Sequence, residues 1–134
     1  MSRNKKRPDA YKTHEHLRQV RRQSSRTIRE DFPVVAQIKV ELVFEDFDSD
    51  TKTAGPIETY GPNSKAFFEI ACPHIECVLG GFEFSAAIRD AIRNRMQSAA
   101  GTKQCPGWQD RERVNKHHCF LKAHFSIYVQ YEAG

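Results

Sequence analysis

"CFLKAHFSIYVQY", residues 119–131, places Cys119, Leu121, Ala123, Phe125, Ile127, Val129 and Tyr131 in alternation with Phe120, Lys122, His124, Ser126, Tyr128 and Gln130. A sustained period of two predicts a strand with one buried face. The second face is half aromatic, so partial cover is expected there too. Upstream, "DFPVVAQIKVELVFEDF" (31–47) turns Ile38, Val40, Leu42 and Phe44 one way and Lys39, Glu41 and Glu45 the other, with Pro33 at its start, where a missing N–H is tolerated. "KAFFEIAC" (65–72) predicts another strand, with Ala66, Phe68, Ile70 and Cys72 on one face. The segment between them, 48–64, contains two Gly-Pro pairs and is expected to be a long loop.

A helix is predicted from an N-cap at Ser85 to about Ala99, ended by Gly101, with Ile88, Ala91, Ile92 and Ala99 as its apolar stripe. The order is then β-β-α-β after an N-terminal arm. One helix can shield one face of a sheet, and the alternating strands need only one face shielded. The expected fold is therefore α+β, a small, mainly antiparallel three-stranded sheet with one helix packed on one face. Residues 31–134 would form that single domain, preceded by a basic arm over 1–30.

Charge divides along the same boundary. Residues 1–30 hold ten Lys and Arg against three acids, so the remaining 104 residues of this +4 chain total −3. "MSRNKKRP" is expected to be a disordered basic tip, and Asp9 to about Arg29 a helix with only the thin apolar stripe Tyr11, Leu17, Val20 and Ile28. A basic arm on a mildly acidic body points to a polyanion partner. The candidate contacts are Arg3, Lys5, Lys6, Arg7, Arg18, Arg21, Arg22, Arg26 and Arg29, spaced to track phosphates of RNA, ribosomal RNA among them, or of other nucleic acid.

No apolar run follows the basic start and no stretch has transmembrane length, which predicts a cytoplasmic protein without a membrane partner. Thiols are kept reduced in that compartment, so four cysteines point to metal before disulfides. Cys72, Cys77, Cys105 and Cys119 are spaced C-x4-C, then C-x13-C, compatible with one structural zinc per chain on four thiolates. Cys72 would close one strand and Cys119 open its antiparallel neighbour, and Pro73, Gly80 and Gly81 would turn the chain so that Cys77 folds back. Cys105 is the ligand in question. A helix reaching Ala99 would be about 22 Å long, and the six residues beyond it span at most roughly 20 to 22 Å. His118, His117 and His74 are the substitute ligands.

The motif "HIECVLGG" (74–81) lacks the proline and paired cysteines that complete a zinc-deaminase signature, and no phosphate-binding glycine pattern is present. Trp108 is expected to plug the small core rather than to stack on bases. Three functions follow in order: a non-enzymatic, zinc-stapled binding module presenting its basic arm to nucleic acid; a small metal- or thiol-dependent enzyme at Cys72, Cys77 and Cys119; and a protein–protein adaptor working through loop 48–64.

Overall fold

In the computed structural model, residues 9–46, 51–74, 77–78, 80–112 and 115–132 are described. The expected basic tip, with Arg3, Lys5, Lys6 and Arg7, lies outside them. Among the described residues, three helices, α1 (Asp9–Ser24), α2 (Ile28–Asp31) and α3 (Ser85–Arg93), accompany nine strands: β1 (Val35–Glu45), β2 (Lys52–Tyr60), β3 (Glu69–Ile70), β4 (Cys77–Val78), β5 (Phe82–Glu83), β6 (Ser98–Gln104), β7 (Trp108–Glu112), β8 (Asn115–His118) and β9 (Lys122–Tyr131). The fold is α+β, and its main sheet is antiparallel with four strands in the order β2-β1-β9-β6 rather than three.

Both long alternating segments take the predicted strand conformation. Val35, Ile38, Val40, Leu42 and Phe44 of β1 and Ala123, Phe125, Ile127 and Val129 of β9 are buried on one face. Against that face pack Ile28, Phe68, Phe82, Phe84 and Ile88, and the Phe84 ring meets Phe125 edge-on at 5.1 Å.

The two added strands were hidden for different reasons. β2 runs through the stretch expected to be a loop. Gly55 and Pro56 face Leu42 across a register shift between Glu41 and Val43, so a bulge accommodates the pair in an edge strand. β6, "SAAGTKQ", is an edge strand of small residues with no hydrophobic alternation to reveal it.

The helix expected to reach Ala99 stops at Arg93. Arg95 adopts φ 54°, its N–H donates to the Ile92 carbonyl, and the Met96 N–H donates to the Ala91 carbonyl, the left-handed termination usually made by glycine. The Arg95 guanidinium stacks on Tyr131, whose hydroxyl donates to the Met96 carbonyl at 2.7 Å, which holds the turn. At the other end Phe84 is the N-cap residue and Ser85 the first helical one.

"KAFFEIAC" contributes only β3, which pairs with β5 and not with β9. Consecutive burial of Ala66, Phe67 and Phe68 breaks the alternation a longer strand would need. The arm bends after Ser24. Thr27 then caps α2 reciprocally with Glu30, the Thr27 hydroxyl accepting from the Glu30 N–H while the Glu30 carboxylate accepts from the Thr27 N–H.

From β6 to β9 the chain is one long hairpin that holds one register as far as Asp110 and Lys116 and shifts only near its tip. Ser98 to Gln104 pair with Tyr128 to Lys122, and the same pairing continues through the Cys105 N–H to the Leu121 carbonyl, the Cys119 N–H to the Gly107 carbonyl, and Trp108 with His118. Cys105 and Cys119 sit where this hairpin leaves the main sheet. Its tip, β7 and β8, takes on β4 to form a second sheet in the order β4-β7-β8.

Candidate metal centre

The bend in the hairpin supplies two thiols and the segment after β3 supplies two more. Cys72 follows β3, the Cys77 N–H bonds back to the His74 carbonyl at 3.1 Å, and β4 is zipped to β7 by pairing Cys77 with Gln109. Cys72 and Cys119 thus meet although β3 and β9 are not neighbours, which corrects the expected strand pairing. Cys105 arrives because the short α3 and the extended β6 return the chain to the thiol end.

The four sulfurs lie within 4.8 Å of one another, and each cysteine is at most 5% exposed. The Cys72–Cys119 and Cys77–Cys105 Sγ separations are both 3.6 Å. A tetrahedron of thiolates with metal–sulfur bonds near 2.3 Å has edges of about 3.8 Å, so the donor set fits one tetrahedral ion. All four thiols are free of disulfides.

Packing thiols this closely splits their proton affinities. Hydrogen bonding to Cys105 and then Cys119, with burial added, pushes Cys72 and Cys77 above the usual thiol range. The same sulfur contacts, Cys105 first, pull Cys119 down. Cys105 falls to about 7: its bond to Cys119 raises it, while those to Cys72, Cys77 and the Gly81 N–H lower it further. A cluster that keeps protons on some sulfurs and charge on others suits a cation that replaces the protons.

Backbone and side chains around the sulfurs fix them. Gly81, at φ 127°, donates its N–H to Cys105 Sγ at 3.4 Å. A Cβ on Gly80 would collide with Cys77 Sγ and lie 2.7 Å from Cys105 Sγ, so no side chain fits there. His74, a substitute ligand by sequence, stands at the rim: its Nδ1 is 3.4 Å from Cys119 Sγ and its Nε2 3.1 Å from Asp46. That is the place of a residue orienting a ligand. The side chains of His117, His118 and Trp108 are outside the described residues.

A contact that the sequence did not suggest ties the arm to this loop. Arg18, read as a phosphate contact, is 2% exposed. It donates to Glu69 at 2.9 Å, to the Gly80 carbonyl at 3.0 Å, and to Glu15. Arg21 also engages both Glu69 oxygens at 3.0 Å. Burial opposes ionisation of Glu69, but hydrogen bonds from Arg18 and Arg21 outweigh it and hold the carboxyl below its usual range. Of the other arm arginines, Arg26 pairs with Asp31, Arg22 lies over the Phe67 ring at 5.3 Å, and both are exposed, as is Arg29. The Glu15–Arg18 spacing was the one local signal, and it could not point to Glu69, 51 residues away.

Two outcomes are expected. Gly80→Ala forces a methyl between two sulfurs and should reduce metal retained per chain well below that of the unsubstituted protein, measured by elemental analysis at equal loading. Arg18→Ala leaves Glu69 and the Gly80 carbonyl without their buried partner and should cost about 3 kcal/mol in denaturant unfolding. A folded-state pKa below the unfolded one stabilises above the unfolded value and is lost as pH falls through the folded one. Protection of α1 amides against hydrogen exchange should accordingly fall below about pH 4, and in the Arg18→Ala protein, where Arg21 alone still engages Glu69, that acid-dependent loss should be smaller.

No known protein family, no curated protein and no solved structure matches this chain.

Proposed function

We propose that the protein is a non-enzymatic binding module, braced by one structural zinc ion on Cys72, Cys77, Cys105 and Cys119, whose basic N-terminal arm contacts nucleic acid, RNA in particular. The observation carrying the proposal is the completeness of the thiol set: four buried sulfurs within 4.8 Å of one another would fill the coordination of a tetrahedral ion and leave it no open position for water or substrate. Soft thiolates in that geometry favour zinc or iron–sulfur chemistry over the harder divalent ions. Burial of every sulfur weighs against a thiol nucleophile, which must reach its substrate.

Support for the arm as the contact surface is electrostatic. Arg18 and Arg21 are occupied by Glu69, which fastens α1 to the body and leaves Arg22, Arg26 and Arg29 exposed. The sequence adds four cations among its first seven residues. A docked helix followed by exposed cations presents charge at lower ordering cost than a free tail would.

Protein purified without chelator should contain close to one zinc per chain, with all four thiols resisting alkylation until the metal is chelated. Absence of bound metal, or iron in its place, removes the zinc brace from this reading. Affinity for a single-stranded RNA should fall steeply with salt, and the combined substitution of Arg22, Arg26 and Arg29 by alanine should flatten the log–log slope by roughly 0.7 for each phosphate that is no longer neutralised. Unchanged binding after that substitution and after removal of residues 1–8 would refute the arm as the nucleic-acid contact.

A further inference from the structure

The main sheet has two edges, and they are built differently. β2 carries the devices that keep an edge from pairing: a proline, a bulge, and the charges of Lys52 and Glu58. β6 has neither the proline nor the bulge: it is regular from Ser98 to Gln104 and bears a single charged residue, Lys103. Because the Gln97 carbonyl accepts from Val129 and the Cys105 N–H donates to Leu121, the odd-numbered residues of β6 bond inward to β9. Ser98, Ala100, Thr102 and Gln104 therefore aim their N–H and C=O groups away from the sheet, and no described residue receives them.

We propose that this edge pairs with the same edge of a second copy of the chain, antiparallel about a two-fold axis through Gly101, joining two four-stranded sheets into one. In that register Ala100 stands opposite Thr102 of the second copy and Ser98 opposite Gln104, so every outward N–H and C=O finds a partner. Lys103 falls opposite Ala99, and no like charges meet. The axis passes through a residue with no side chain, where non-hydrogen-bonded strands approach most closely. Gly101 is already required within one chain, since a Cβ there would lie 2.7 Å from the Phe125 ring. The ends of the strand also match. Met96, 44% exposed, precedes β6, and Pro106, beside the 37% exposed Phe120, follows it. Self-pairing brings the Met96 end of each copy to the Pro106 end of the other, adding apolar contact to the ladder. Such an interface is isologous and closes, so it gives a dimer and not a filament.

Sedimentation of the full chain across the micromolar range should show a monomer–dimer equilibrium, and in the dimer the amides of Ala100 and Thr102 should exchange slowly although no described residue of one chain accepts from them. Ala100→Pro removes an N–H that the monomer does not use, and Ser98→Pro does the same at the first residue of the strand. Both variants should be monomeric while keeping the wild-type thermal midpoint and metal content at low concentration. A chain that stays monomeric throughout the range, fast exchange of those amides in any dimer found, or a dimer indifferent to both prolines overturns the assignment, and the first would leave the edge to a strand from a different protein.

Discussion

Four sulfur atoms held within 4.8 Å of one another, away from water, set the terms for the rest of the molecule. Such a cluster persists only with protons left on some sulfurs or with a cation among them, because four thiolates at this distance repel strongly in a medium of low dielectric. The thiols come from segments far apart in sequence. Cys72 touches Cys119 across 47 residues and Cys77 touches Cys105 across 28. A bond set that closes loops of this length constrains the unfolded chain as well as the folded one. That matters here because 39% of residues are hydrophobic and the helices that contribute to the core, α2 and α3, have only four and nine residues. The cysteines form the part of the core that ties down the β6–β9 hairpin where it leaves the main sheet.

Arg18 extends that constraint to the arm. Its guanidinium neutralises Glu69 and caps the Gly80 carbonyl, one residue from the N–H that supports Cys105. The loop is thereby held from both sides: its carbonyl by a helix and its amide by a sulfur. Glycine at 80 and 81 is the condition for both contacts, since side chains there would occupy the space of Cys77 Sγ, Cys105 Sγ and the Arg18 guanidinium. Helix α1 is otherwise poorly equipped to dock, with Leu17 and Val20 both exposed. Its attachment rests on charge more than on apolar area.

What could be read from the sequence was whatever depends on local pattern. The inner faces of β1 and β9, the start of α3 and the grouping of the cysteines at strand ends all followed from spacing. What could not be read depends on partners distant in sequence or on single backbone angles. β6 is built of residues with no preference for either face, and its pairing with β9 decides its conformation. The end of α3 is set by one arginine in a left-handed conformation, stabilised by a tyrosine from β9, where composition suggested a stop at glycine. β2 was concealed by its Gly-Pro pair, which signals a turn in isolation and a bulge beside β1. Arg18 looked like any other cation of the arm because Glu69, its counter-ion, lies in a segment whose strand character was itself overestimated.

The fate of the arm's arginines alters how the charge asymmetry should be read. A count of +7 over residues 1–30 treats each cation as a surface charge. Arg18 and Arg21 share the single carboxylate of Glu69, and Arg26 faces Asp31, so the arm's field is partly neutralised by acids of the body and of α2. The mildly acidic balance of residues 31–134 is in part the counterpart of the arm rather than an independent surface. Positive potential is consequently concentrated at Arg22 and Arg29 and in the sequence that precedes α1, not spread evenly along the helix. Electrostatic recognition falls off within about 10 Å at moderate salt. On the proposed reading, a polyanion would therefore engage Arg22 and Arg29 separately from the cations that precede α1 in the sequence, with the docking of α1 through Glu69 fixing Arg22 and Arg29 relative to the thiol-braced body.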